Sequence, residues 1–343
     1  MILFCSDYQE GAHPAILGRL TDTNFKQHPG YGTDDICSAA AELIREKCAC
    51  PEADVHFLVG GTQTNTVVIS AALRPHQGVL CANTGHINVH ETGAIEAAGH
   101  KVLGVDSPDG KITAGQVERE VLLQADFEHT VKPGMVYISF STELGTLYSL
   151  AELTALRQVC DKYHLYLFLD GARLGYGLCG EGNDVTLADI ARLCDVFYIG
   201  GTKVGALFGE AVVIVNPALK PDFRYFIKQR GGLLAKGWLL GLQFEALLQE
   251  GRYLAIAGHA QRLAMQIRDA LRAMGIPFLI ESPTNQQFPI LPDKVIQALA
   301  DKYAFSFQEK VDGTHTAVRI CTSWATKEED VLALIRDLGD AVL

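Results

Sequence analysis

No run of lysines and arginines relieves the acidic balance of this chain, in which 40 acidic side chains outnumber 29 basic ones for a formal charge of −11. That balance argues against nucleic acid or an anionic membrane as a partner. No apolar segment approaches the length of a bilayer span, and the opening Met1-Ile-Leu-Phe-Cys-Ser-Asp7 lacks the basic flank and long apolar stretch of a secretory leader. There is no Cys-x-x-Cys pair, no internal repeat and no low-complexity segment. The nine cysteines are an odd, scattered set, mostly in apolar settings such as Ile36-Cys37, Val159-Cys160 and Leu178-Cys179. Buried thiols rather than essential disulfides are expected, with Cys5 the exception because its neighbours read as functional. These absences point to a cytoplasmic enzyme.

With 48% hydrophobic residues among 343, there is ample material for a large domain and a smaller one. Helix and strand patterns alternate through the first half. Asp34 to Cys48 reads as a helix, Val55 to Val59 as a strand, and Gly60-Gly-Thr-Gln-Thr-Asn65 as a turn opening a helix to Leu73. Gly78 to Cys81, Lys101 to Val105, Met135 to Ser141, Tyr166 to Asp170, Val196 to Gly200 and Ala211 to Val215 read as strands. Helices are expected over Val89 to Ala98, Ala151 to Tyr163 and Val185 to Cys194. Such alternation predicts an α/β fold with a mainly parallel sheet covered on both faces. After Pro221 the texture changes. Helices over Trp238 to Leu248 and Tyr253 to Met274 lead to a compact α+β unit, with a helix near Val295 to Tyr303 and a last one over Lys327 to Leu338. The expected division is a large domain, residues 1–248 with the N-terminal segment, and a small C-terminal domain, residues 249–343.

Two strands stop abruptly at charged residues: Tyr166-Leu-Phe-Leu-Asp170-Gly-Ala-Arg173 and Val196-Phe-Tyr-Ile-Gly-Gly-Thr202-Lys203. Strand ends are where α/β sheets place their sites. Either residue alone could be a helix cap or a solvated side chain. The pair, set among small residues that leave room for a flat ligand, is what pyridoxal 5'-phosphate requires: a lysine for the Schiff base and an acid to keep the pyridine nitrogen protonated. The Gly60-Gly61-Thr62 turn supplies backbone N–H groups for a phosphate at a helix start. It lacks the Gly-x-Gly-x-x-Gly spacing of a dinucleotide fold. His86, in Thr84-Gly-His86-Ile-Asn-Val-His90-Glu91, follows another strand end and can stack on an aromatic cofactor, with Glu91 orienting the network. His86 and His90 are also four apart, as metal ligands can be, but no further ligand cluster accompanies them and no metal is expected.

In order and spacing, Ser6-Asp7, Gly30-Tyr31-Gly32, Gly60-Gly-Thr62, Thr84-Gly-His86, Asp170-Gly-Ala-Arg173, Gly201-Thr202-Lys203 and Val318-Arg319-Ile resemble the low-specificity threonine aldolases, over essentially the whole length. These are pyridoxal-phosphate enzymes related to the β-eliminating lyases, and the resemblance implies the type I pyridoxal fold. It also implies Lys203 as the cofactor-bearing lysine, Asp170 as partner of the pyridine nitrogen, Ala172 beneath the ring and His86 above it. Gly61, Thr62 and Thr202 would contact the phosphate. Ser6, Arg173 and Arg319 would hold the amino acid carboxylate, with Tyr31 a looser match and His129 a second histidine near the substrate hydroxyl. The implied reaction is reversible cleavage of a β-hydroxy-α-amino acid to glycine and an aldehyde, with His86, His86 through water, or His129 as base. A homodimer or homotetramer with sites near a subunit interface is implied too, Arg230 or Lys236 reaching a phosphate across it. β-Elimination, transamination and a non-catalytic cofactor-holding protein remain alternatives. Where relatives often carry an Asn, this chain reads Ser139-Phe-Ser-Thr-Glu143-Leu-Gly.

Overall fold

The computed structural model describes residues 1–124 and 127–342. In chain order its strands are β1 (Ile2–Leu3), β2 (Asp54–Leu58), β3 (Gln77–Ala82), β4 (Val102–Val105), β5 (Lys132–Ser139), β6 (Tyr166–Asp170) and β7 (Val196–Gly200). Then follow β8 (Glu210–Ile214), β9 (Phe278–Ile280), β10 (Gln286–Pro292), β11 (Tyr303–Ala304), β12 (Ser306–Lys310) and β13 (His315–Cys321). The large sheet has the order β2-β8-β7-β6-β5-β3-β4. All its strands run one way except β8, which is antiparallel to β2 and β7. β7 and β8 are buried at every position, which is why both read as unbroken apolar runs with no alternation.

Helices cover both faces of this sheet, and local sequence fixes where they start. Capping boxes open three of them: Thr113 with Gln116, Ser149 with Glu152, and Thr186 with Asp189. The first of these helices, Ala114–Leu123, and the helix Pro14–Thr23 were not expected from the sequence. The helix expected over Val89 to Ala98 is instead two single turns, His86–Val89 and Ala94–Ala97, because Thr92 and Gly93 take left-handed φ of 52° and 70°. His86 therefore opens a turn whose N-cap is Gly85.

The smaller sheet is antiparallel, in the order β12-β13-β10-β9. Two features bear on the expected division of the chain. β1 pairs in parallel with β11, and Phe4 lies in the small-domain core with Leu263, Ile267 and Leu334, so the N-terminal segment belongs with the C-terminal unit. The same pairing ends the expected Val295 to Tyr303 helix at Leu299. The helix Arg252–Ala273 also serves both units: Tyr253, Ala257 and Ala260 pack into the large core, and Leu263, Ile267 and Leu271 into the small one. Residues of this one helix are thus shared between the two cores.

Candidate active site

The sheet delivers its functional groups to one edge. Gly60, Gly61 and Thr62 follow β2, His86 follows β3, Ser139 and Glu143 close β5, Asp170 ends β6, and Thr202 and Lys203 follow β7. Glu210 begins the antiparallel β8 at the same edge, between Leu58 and Gly200. Around them lies a cavity of about 310 Å³ lined by Gly61, Thr62, Asp170, Ala172, Lys203 and Glu210, among others. A second compartment of about 520 Å³ adjoins it, with Asn83, His90, Gln308 and Arg319 in its wall. Tyr8, His86, Glu143, Arg173 and Lys203 line both.

Asp170 is buried and held by three donors: Tyr137 Oη at 2.5 Å and Asn65 Nδ2 at 3.2 Å on Oδ2, and the Ala172 N–H at 2.9 Å on Oδ1. Burial, and then the charge of Asp170, hold the Tyr137 hydroxyl far above its ordinary pKa, so it remains a donor. Gly171 permits this geometry, since a side chain there would run into the Tyr198 carbonyl on β7. Asn65 Nδ2 also donates to Glu91 at 2.7 Å, and Glu91 meets His86 Nδ1 at 2.7 Å. A proton on Nδ1 directed at that carboxylate leaves His86 Nε2 as the free nitrogen. The chain Asp170–Asn65–Glu91–His86 thus fixes the acid and the imidazole relative to each other. Sequence reasoning missed Asn65 and Tyr137; both are ordinary helix and strand residues until the fold brings them to Asp170.

Lys203 points its Nζ toward the Tyr8 ring, 6.0 Å from the centroid. Burial and then Arg173 push its ammonium below the ordinary lysine range, against Asp7, Asp170 and Glu210. Arg173 is bound to Asp7, Nε to Oδ2 at 2.8 Å and Nη2 to Oδ1 at 3.0 Å. Burial alone would raise the Asp7 carboxyl, but Arg173 and then Lys203 bring it below the usual carboxylate range. Two of the three Arg173 nitrogens expected for a ligand are therefore already engaged, leaving Nη1. Arg319 reaches the second compartment with Nη2 on the Cys5 carbonyl at 2.9 Å and a buried Nε that has no partner among the described residues. Ser6 is buried between Cys5 and Asp7, both in contact with these arginines, and is itself absent from either cavity wall.

Thr202 differs from expectation. Its hydroxyl donates to Glu210 at 2.8 Å and accepts from the Gly209 N–H at 3.0 Å, so its one proton is spent within the turn. Glu210, missed from sequence inside an apolar strand, is pushed up to about 8 by burial, against the Thr202 hydroxyl and the charge of Lys203. The sign follows from linkage. An acid whose folded pKa exceeds its unfolded value of 4.5 contributes stability that is complete below that value and is lost as pH rises through about 8. Thermal melts across about pH 5 to 9 are therefore expected to fall more steeply for the wild type than for Glu210→Gln. Parallel curves would show that Glu210 does not titrate in this window.

Two expected residues lie elsewhere. His129 is exposed at the end of a 3-10 turn just before β5, roughly 25 Å of strand from the functional edge, so within one chain it is not near the site. Tyr31, 46% exposed at φ 64°, lines a separate cavity with Cys37, Arg224 and Leu233. Arg230 donates to Ser70 at 3.3 Å, on the helix Gly61–Ala72 but away from its first turn, and Lys236 is exposed. The His86 and His90 rings stand 5.5 Å apart, and no group of three His, Cys, Asp or Glu side chains suited to a metal occurs among the described residues.

The donor set fits pyridoxal phosphate. The helix Gly61–Ala72 has no side-chain cap, so its first-turn N–H groups face the cavity unclaimed. A side chain at Gly61 would approach Tyr198 Oη at 3.2 Å. That hydroxyl and Ser141 Oγ are both buried in the cavity wall with no partner among the described residues, as polar groups awaiting a ligand are.

The architecture is the type I pyridoxal-phosphate fold: an aspartate aminotransferase from Thermus thermophilus superposes with a TM-score of 0.73 at 16% identity, covering 100% of this chain and 92% of that one. The chain belongs to the family described as Beta-eliminating lyase, which matches residues 4–310. A low specificity L-threonine aldolase of Pseudomonas sp. (strain NCIMB 10558) is 31% identical over 98% of this chain and 96% of its own length. A protein of the same description from Pseudomonas aeruginosa is 29% identical over the same shares. A threonine aldolase structure from Leishmania major has 46% identity and a TM-score of 0.99 over 100% of both chains.

Proposed function

We propose that this protein is a carbon–carbon lyase that reversibly cleaves a β-hydroxy-α-amino acid of the threonine or allo-threonine class into glycine and an aldehyde. The observation that carries the reading is the meeting of two compartments at Lys203: a strand-end acid and a phosphate cradle on one side, an arginine-lined recess on the other. The names of the Pseudomonas and Leishmania relatives support it.

Bound pyridoxal phosphate supplies an aldehyde that exchanges amines and a ring that takes up an electron pair. Lys203 provides the amine that anchors the group, and its depressed pKa favours the uncharged form that such chemistry needs. Asp170 would hold a proton at the ring nitrogen, with its own carboxylate fixed by Tyr137, Asn65 and the Ala172 N–H. Gly61 and Thr62 would hold the phosphate, and Ala172 and His86, in the same cavity wall, would contact the ring. Arg173 Nη1 and the Arg319 guanidinium receive the substrate carboxylate, a planar fork being suited to that task, with Ser6 beside them.

With threonine or allo-threonine and no keto acid, acetaldehyde and glycine should appear in equal amounts. Pyruvate and ammonia, or turnover only with an added keto acid, would overturn the aldolase reading while leaving the fold intact.

The same reading makes the active unit a homodimer or homotetramer with sites near a subunit interface. Tyr31 and Lys236 are exposed outside their own chain's compartments, as groups serving a neighbouring site would be. An active monomer in sedimentation would rule this out. A cytoplasmic location suits nine free cysteines, which a reducing compartment preserves; no helix among the described residues is long and apolar enough to cross a membrane.

A further inference from the structure

Aldol cleavage needs a group that takes the proton of the substrate's β-hydroxyl, and that group must stand where the amine-bearing carbon meets the carboxylate recess. Five side chains line both compartments: Tyr8, His86, Glu143, Arg173 and Lys203. Arg173 is a permanent cation, Lys203 is committed to the cofactor, and Tyr8 is 55% exposed at the rim. His86 and Glu143 remain.

The other acids at this edge are occupied or shielded. Asp170 is saturated by three donors, Glu210 is tied to Thr202 and the Gly201 N–H in the first cavity alone, and Glu91 lies buried behind His86. Glu143 is held differently. Its Oε1 accepts from the His86 backbone N–H at 3.0 Å and from Ser139 Oγ at 2.7 Å, which pins the carboxylate. Its Oε2 makes no hydrogen bond among the described residues, and the side chain borders both compartments. A carboxylate anchored through one oxygen, with the other turned to a cavity, is built to accept a proton there.

We infer that Glu143 is the base that accepts the proton of the substrate's β-hydroxyl during cleavage and returns it during synthesis, a proposal that rests on the aldolase reading above. In the cleavage direction the O–H proton passes to Oε2 and the O–H electron pair becomes the second bond of the aldehyde. The Cα–Cβ pair stays with the glycine fragment, which takes its own proton separately. Nothing is oxidised or reduced, and Glu143 is restored by losing the proton to water. Burial, and the nearby charge of Asp170, push the Glu143 carboxyl above its ordinary range against the Ser139 hydroxyl and His86, which makes it a better acceptor near neutral pH. His86 then positions Glu143 through its backbone N–H while its ring covers the cofactor.

The test is Glu143→Gln in the cofactor-loaded enzyme, with Glu143→Asp as a second variant that keeps a shortened carboxylate. Three measurements are made: cleavage of threonine and allo-threonine, the absorbance spectrum of the bound cofactor, and the spectral titration with glycine, which has no β-hydroxyl. The proposal expects kcat for cleavage to fall by about 10²–10⁴-fold in Glu143→Gln, the range of general base catalysis. It expects the spectrum and the glycine affinity to stay within twofold of wild type, and Glu143→Asp to recover part of the rate. Cleavage by Glu143→Gln within about tenfold of wild type would overturn it. So would a shifted cofactor spectrum or lost glycine binding, which would make Glu143 a cofactor contact. If Glu143→Gln does not fold, a Glu143→Asp enzyme with wild-type kcat supports only a structural carboxylate and overturns the proposal, whereas lowered kcat at unchanged glycine affinity supports it. A wild type that cleaves no β-hydroxy amino acid would remove the aldolase reading itself, a separate outcome.

Discussion

Lys203→Ala should fold normally, lose the covalent link to pyridoxal phosphate and retain at most about one part in 10³ of the cleavage activity. Lys203 follows the fully buried strand β7, and its Nζ makes no hydrogen bond among the described residues. Truncation therefore removes a recessed amine and relieves its desolvation, so thermal stability should stay level or rise. Absorbance of the purified variant measures the loss of the link. In the wild type, borohydride reduction followed by peptide mapping should place the cofactor on Lys203. A reduced adduct on any other lysine would undo the central assignment.

Asp170→Asn is the other large effect. The carboxylate would face the ring nitrogen of bound cofactor in a buried setting, and uncoupling a buried pair of this kind costs about 3–5 kcal/mol, or roughly 10²–10⁴-fold in the chemical step. Asparagine is nearly isosteric and can still accept from Tyr137 or Ala172, so cofactor affinity should fall much less than rate. Single-turnover kinetics on fully loaded enzyme separate the two quantities. A variant with the wild-type single-turnover rate would reduce Asp170 to a structural cap for the turn that follows β6.

The residues legible in the sequence share one property: each ends an apolar run. Asp170 and Lys203 interrupt strands that are otherwise uniformly hydrophobic, and Gly60-Gly61 breaks the pattern between a strand and a helix. What stayed hidden depends on long-range contact. Asp7 meets Arg173 only because the N-terminal segment crosses to the sheet edge, and nothing local marks Asn65 or Tyr137 as partners of Asp170. Glu210 sits in a run that reads as pure core, and its antiparallel direction, which turns its first residue toward the site, is not encoded in periodicity. His129 and Tyr31, the looser matches, lie outside the compartments of their own chain, because sequence order does not say which edge of a sheet a loop occupies.

The pairing of β1 with β11 sets the order in which the parts of this enzyme can be completed during synthesis. Cys5 accepts from Arg319, Asp7 from Asn285, and Ile2 and Leu3 lie beside Tyr303 and Ala304. Residues made early thus wait for partners made much later in synthesis. A nascent chain long enough to include β8 already holds the lysine, the acid and the phosphate cradle, and its core can condense around the sheet. Its carboxylate recess does not yet exist, because Arg319 has not been made. On the roles proposed above, the groups that would hold the cofactor are therefore made before the arginine that would hold the substrate carboxylate. The long sequence separation of these closing contacts also makes them the slow part of folding, since the entropy of closing so large a loop is lost before any of its contacts form.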